Sequence, residues 1–154
     1  MNFVMFTYLL ALIIVMIDLF TKSFIQMNEN LHSVEVIKGF FSLTYVKNTG
    51  MAWSLLSNQT LLLTLISLFV VIYLAYYCYK HPLTRPYQVV FGLIIGGAAG
   101  NLYDRAILKY VRDFLDFIIF GYDFPVFNIA DSALTIGVIL LLILQIKEEK
   151  YGKA

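Results

Sequence analysis

The chain has 154 residues, 60% hydrophobic and 14% charged, with a formal net charge of +1. Soluble domains carry about 25% charged residues, so these charges are too few to coat a water-soluble globule, and one integral-membrane domain is the natural reading. A charge this close to zero leaves no basic footprint for nucleic acid, and the single cysteine, Cys78, excludes an intrachain disulfide and any multi-cysteine metal site.

A spanning helix needs about 20 mostly apolar residues, and four segments qualify. The first covers about residues 3–25 and is uncharged until Asp18 and Lys22. It lacks the basic start and small-residue end of a signal peptide, which favours a retained first span. The link that follows, about residues 26–59, holds two β-branched and aromatic runs, 33–38 and 40–47, separated by Gly39. They predict a small β element on the membrane surface. The second helix, about 61–79, carries no charge and is closed by Lys80. A short basic link with Pro82 and Pro86 leads to the third, about 89–107, which ends in Asn101, Asp104 and Arg105. Residues 111–120 mix charges with large apolar groups and suit a short interfacial helix. The fourth helix is predicted over about 125–146, with Pro125 at its start and Asp131 in its first two turns.

Counting Lys and Arg by side leaves the orientation open. Lys80, Arg85, Lys147, Lys150 and Lys153 lie on one face, and Lys22, Lys38, Lys47, Arg105, Lys109 and Arg112 on or near the other. If the second set serves a functional site, the first marks the cytoplasmic face and both termini are inside. An up-down bundle then brings Asp18, Lys22, Asn48, Asn101, Asp104, Arg105, Asp113, Asp116, Asn128 and Asp131 to one membrane face.

Each of these residues has a bland and a chemical reading. Asp18 and Lys22, four apart with the acid first, suit an orienting ion pair on one helix face or direct substrate contact. The small residues of 96–100 permit close helix packing, and no Lys-Ser/Thr follows to make a phosphate loop. Arg105 is a candidate for orienting a carboxylate or carbonyl; it is equally suited to pairing with Asp104 or snorkelling to head groups. Asp113 and Asp116 are open to reading as solvated charges of an interfacial helix. Asn128 suits a helix cap, and Asp131 an acid favoured by the helix dipole. An ionised carboxylate at a membrane-helix centre costs about 2.5–3.5 kcal/mol on insertion scales, so Asp131 is shallow, partnered or kept for chemistry. Two carboxylates without metal, cysteine or histidine suit peptide hydrolysis by an aspartic dyad, one acid ionised and one protonated. His32 and His81 are predicted on opposite sides of the membrane. A competing reading is a small four-helix proton-coupled transporter, disfavoured by the uncharged second helix. A purely structural assembly subunit leaves the acid cluster unexplained.

Five segments in order resemble bacterial lipoprotein signal peptidase, also called signal peptidase II. They are Asp18-Leu19-Phe20-Thr21-Lys22, Asn48-Thr49-Gly50-Met51-Ala52-Trp53-Ser54, residues 96–105, Val111-Arg112-Asp113-Phe114, and residues 124–133. The resemblance implies a single membrane-embedded peptidase domain over 1–154, all-α with four transmembrane helices, a small β-cradle and a short interfacial helix on the outer face. It implies catalysis by Asp113 and Asp131, and places Asn48, Gly50, Asn101, Arg105, Asn128 and Ala130 near substrate, with Asp18 and Lys22 in support. The implied substrate is a diacylglyceryl-modified prolipoprotein in the bacterial inner (cytoplasmic) membrane, cut before its lipid-bearing cysteine. Membrane lipids and globomycin-type inhibitors are further expected partners. No metal or organic cofactor is implied, and nothing demands more than a monomer. Met51, Arg112 and Leu19 depart from the usual pattern, and Arg112 is expected to lower the pKa of Asp113 if it points inward.

Overall fold

Four apolar stretches fold into helices because a chain this poor in charge must satisfy its backbone internally wherever water is excluded. The computed structural model describes residues 3–51, 53 and 55–152. Ala52 and Ser54 of the second motif, and Lys153 of the basic tail, lie outside the described residues. The helices are α1 (Phe3–Met27), α2 (Thr60–Lys80), α3 (Arg85–Leu108) and α4 (Ile129–Tyr151). Between α1 and α2 lie strands β1 (Ser33–Ile37) and β2 (Phe41–Asn48); between α3 and α4 lie β3 (Val111–Ile119) and β4 (Tyr122–Asp123). Among the described residues, α1, α2 and α4 are long and apolar enough to cross a membrane. Their outward faces carry exposed Leu12, Met16, Phe20, Phe69, Ile72 and Leu142, an arrangement that water would penalise and lipid would not.

α3 is the buried member of the bundle, and its small residues set how near its neighbours come. A Cβ on Gly92 would meet Leu10, one on Gly96 would meet Ile14 and the Ala11 backbone, and one on Gly100 would meet Asp18. Pairs that advance together in this way make α1 and α3 parallel. On the other side Gly97 lies against the backbone of Ala130 and Leu134, and Gly137 against Ile94. This is the close packing expected of small residues in a membrane bundle. α2 packs against α3 through Cys78, Phe91 and Ile95, with Ala11 of α1 in the same buried cluster.

The β element predicted from residues 33–47 is present, but it is larger than expected. The sheet runs β1-β2-β3-β4, antiparallel throughout. Residues 111–119, expected as an interfacial helix, form its third strand. The stretch is rich in β-branched and aromatic groups, and β2 would otherwise offer an unpaired edge. β2 pairs with β3 from Phe41↔Phe117 to Asn48↔Val111, with a register irregularity between Leu43 and Val46.

Two helix starts also differ from expectation. α3 begins at Arg85 with Pro86 in its first turn, where a proline needs no N–H partner, so that proline opens the helix rather than breaking the chain. Pro125 lies outside α4, which starts at Ile129 behind the N-cap Asn128. The chain between is held to the sheet: Phe127 donates its N–H to the Leu115 carbonyl (3.0 Å) and accepts from the N–H groups of Phe114 (3.0 Å) and Leu115 (2.8 Å). That fixed approach delivers Asn128 to the side of Asp113.

Candidate active site

Asn128 opens α4 with a reciprocal cap. Its side-chain oxygen accepts from the Asp131 N–H at 2.9 Å, and the Asp131 carboxylate accepts from the Asn128 N–H at 3.3 Å. Each satisfies a helix-end group that would otherwise lack a partner. The cap uses only the oxygen of the Asn128 amide. Its nitrogen donates to Asp113 Oδ1 at 2.6 Å and to Asn101 Oδ1 at 3.1 Å. One asparagine therefore binds both carboxylates. Asn48 donates to the other Asp113 oxygen at 2.9 Å, and Asn101 donates to Asp131 Oδ1 at 2.7 Å.

The remaining residues singled out in the sequence join the same hydrogen-bonded network. Lys22 donates to Asn101 Oδ1 (2.9 Å) and to Asp18 Oδ2 (2.6 Å), while Asp18 Oδ1 accepts from the Ala130 N–H (2.9 Å). Asn101 thus takes two donors on its oxygen, which fixes its amide nitrogen towards Asp131. The Gly50 N–H donates to Asn48 Oδ1 (2.8 Å), and Arg105 donates to the Gly50 carbonyl (3.1 Å). Asn48 is held in the same way, its oxygen engaged and its nitrogen turned to Asp113. Asp113, Asp131, Asn48, Gly50, Asn101, Arg105, Asn128, Ala130, Asp18 and Lys22 are all reached by these bonds.

The structure decides four readings that the sequence left open. The Asp18–Lys22 ion pair forms on one face of α1, and both side chains are fully buried against α3 and α4. Small residues at Gly100 and Ala130 make the room for it. Arg105 bonds the Gly50 carbonyl, while Asp104 is taken by Arg112 at 2.7 Å, with Lys22 at 3.6 Å. Arg112 also turns away from Asp113 instead of lowering its pKa, because successive residues of a strand face opposite sides. Arg112 was a missed partner for Asp104; reading 111–119 as a strand would have found it. Asp116 is likewise not a merely solvated charge, since Thr44 donates to it across the strands at 2.6 Å.

The Asp113 carboxyl is pushed up to about 7, first by burial and next by the like charge of Asp131, against the opposing bonds from Asn48 and Asn128. It sits at the wall of a cleft of about 540 Å³, which Asn48, Met51, Trp53, Asp116, Phe124 and Pro125 also line. Trp53 bridges the loop after β2 to the β3–β4 side, donating from its indole to the Tyr122 hydroxyl at 3.0 Å and meeting Phe124 edge-on. His32 and His81 are engaged elsewhere, His32 against the Ile25 carbonyl and the Tyr45 ring, His81 against Tyr77.

Buried acids beside a cleft, in a protein with an apolar exterior, define a membrane enzyme. Two solved structures described as bacterial membrane enzymes are similar. One has a TM-score of 0.88 at 40% identity, covering 96% of this chain and 91% of the other; the second has a TM-score of 0.82 at 41% identity, covering 92% and 93%. Residues 10–147 match the family described as signal peptidase (SPase) II. Lipoprotein signal peptidases of Anoxybacillus flavithermus (41% identity; 97% of this chain, 90% of the relative), Francisella tularensis subsp. novicida (45%; 88% of each) and Staphylococcus aureus (41%; 94% and 90%) are among its relatives. The chain belongs to the signal peptidase II family.

Proposed function

We propose that the protein is an aspartic endopeptidase that removes the signal peptide from diacylglyceryl-modified prolipoproteins, cutting just before the lipid-bearing cysteine. The observation that carries the reading is the double hold of Asn128 on the carboxylates of Asp113, at the wall of the cleft, and Asp131. Asp113, its carboxyl pushed up to about 7 by burial and the neighbouring Asp131, is the acid whose protonated form donates to the carbonyl oxygen as charge develops there. Asp131, in the first turn of α4 where the helix dipole favours a negative group, is the ionised partner. It takes a proton from the attacking water. The water oxygen bonds the carbonyl carbon; the C–N bond then breaks as Asp131 passes its proton to the leaving amine and a hydroxyl of the tetrahedral intermediate returns its proton to Asp113. Asn48, Asn101 and Asn128 keep the two carboxylates oriented, Gly50 and Arg105 hold Asn48, and Asp18, Lys22 and Ala130 hold Asn101 and the start of α4.

We read α3 as a fourth span. Its 24 residues reach about 36 Å as a helix, and its polar end faces protein rather than lipid. The whole chain is then one membrane-embedded peptidase domain, with both termini cytoplasmic and the sheet and cleft at the outer face of the bacterial inner membrane. A substrate's lipid chains stay in the bilayer beside the apolar helices while its peptide enters the cleft, where a globomycin-type peptide inhibitor would compete. Nothing in this arrangement calls for a second copy or a metal.

Purified protein in detergent, given a lipid-modified prolipoprotein, tests the reading. Asp113→Asn and Asp131→Asn are each expected to abolish cleavage while leaving a cooperative thermal transition. Near-normal turnover by either one sinks the assignment of the two acids.

A further inference from the structure

Arg112 takes no part in the reaction outlined above, yet its guanidinium is buried and donates four hydrogen bonds. Two go to Asp104, at 3.1 Å from Nε and 2.7 Å from Nη2; two go from Nη1 to Ser23 (3.1 Å) and Gln26 (3.0 Å) on α1. Its own main-chain N–H donates to Asp104 as well, at 3.0 Å. The next residue, Asp113, points to the opposite face, where Asn48 and Asn128 receive it. Asp104 also lies 3.6 Å from Lys22, which bonds Asp18 and Asn101. Two buried cations, Lys22 and Arg112, therefore meet two buried anions, Asp18 and Asp104.

We propose that Arg112 is a positioning residue for Asp113: bound to Asp104, it fastens β3 to the ends of α1 and α3 and completes a formally neutral quartet with Asp18 and Lys22 beneath the two carboxylates. Its loss would act in two ways. β3 would lose its link to both helices one residue from Asp113. Asp104 would be left with Lys22 alone, drawing that ammonium from Asn101 and adding a net negative charge under the acids. The charges that act on Asp113 are Asp131 from α4, Lys22 from α1 and Arg105 from α3, with Asp18 and Asp104 behind Lys22 and with Lys47, Asp116 and Asp123 on the walls of the same cleft. On β2 the facing side chain is the neutral Asn48, while Lys47 sits over the Tyr110 ring. One unbalanced anion in this group disfavours the ionised form of a neighbouring carboxyl.

The inference rests on Asp113 and Asp131 as the acting acids. That assignment fails on its own terms if either Asn variant still cleaves. The test compares wild type, Arg112→Met, Arg112→Lys, Asp104→Asn and the double variant Arg112→Met/Asp104→Asn, with full-length protein in detergent and a lipid-modified prolipoprotein. Arg112→Met is expected to lower kcat at least about tenfold, as small misplacements of reacting groups do, with KM changed by less than about twofold. The acidic limb of its pH profile moves to higher pH. Adding Asp104→Asn returns that limb to its wild-type position and recovers part of kcat, while Arg112→Lys leaves the limb in place. Wild-type kcat and profile in Arg112→Met would overturn the proposal. So would a double variant whose acidic limb stays displaced. Should Arg112→Met not fold, Arg112→Lys and the double variant decide alone: limbs at the wild-type position support the proposal, and a shifted limb in either overturns it.

Discussion

Asn128 shows how much one side chain can be asked to do. Its oxygen caps α4 and its nitrogen holds Asp113, so Asn128→Ala removes a helix cap and the side-chain bond to the Asp113 carboxylate together, while the main-chain N–H that reaches the Asp131 carboxylate stays. A lost cap costs about 0.5–2 kcal/mol of stability. A bond to a charged group is worth about 1.5–3 kcal/mol, so cleavage should fall by about tenfold to a hundredfold while the thermal transition shifts only modestly. Kinetics and thermal scans on the same sample separate the two effects. Asp113 makes a second prediction through pH. Its folded pKa of about 7 lies above the ordinary 3.8, so its contribution to stability is complete below about pH 4 and is lost as pH rises to 7. The stability advantage of Asp113→Asn over wild type should therefore widen between about pH 4 and 7 and stay level above, while wild-type cleavage declines on the alkaline side as Asp113 loses its proton. Thermal scans and rate measurements across that range check both trends. The identities of these residues were legible because carboxylates and asparagines are conspicuous in an apolar chain. Which amide faces which oxygen was not, since that depends on Lys22 and Gly50, far apart in sequence and joined only by folding.

At the scale of elements, helix packing was readable and the outer sheet was only half readable. Glycine and alanine at 96–100 announced close contact, and the structure gives the partners. A methyl group on Gly97 would press on the Ala130 carbonyl and the Leu134 N–H, backbone atoms that cannot rotate aside. Gly97→Ala should therefore destabilise the protein by about 1–3 kcal/mol or more, the range for overpacking, and displace the first turn of α4 together with Asp131. Detergent melting temperature and residual cleavage measure the two consequences. β3 was misread as a helix because charges and large apolar groups in one short stretch fit either an interfacial helix or a strand buried on one side. The long-range partner β2 settles it. The pairing register has chemical weight, since a slip of one residue reverses every side chain. Such a slip would put Arg112 where Asp113 belongs, and the irregularity between Leu43 and Val46 distinguishes the native register from its neighbours.

For the whole molecule, the apolar exterior fixes where the protein can live, while the lysine and arginine count left its direction open. If the sheet faces outward, a cysteine in place of Lys38, in the turn between β1 and β2, should react with a membrane-impermeant maleimide in intact cells. One in place of His81, in the link between α2 and α3, should react only after the membrane is opened. Equal labelling of both would reject that orientation; Cys78, fully buried, gives little background. The Asp18–Lys22 pair also has a meaning for how the protein is made. α1 leaves the ribosome well before α3 and α4 exist, so the partners that finally surround its charges are absent when it enters the bilayer. Because the acid and base sit four residues apart and bond at 2.6 Å within their own helix, α1 can enter as a self-neutralised segment. Asn101 and then the Ala130 N–H arrive later and convert this travelling ion pair into a fixed support. α4 follows later still and brings Asp131, so if Asp113 and Asp131 are the acting acids, a chain made only as far as α3 holds no complete pair, and cleavage is expected only after the bundle has closed.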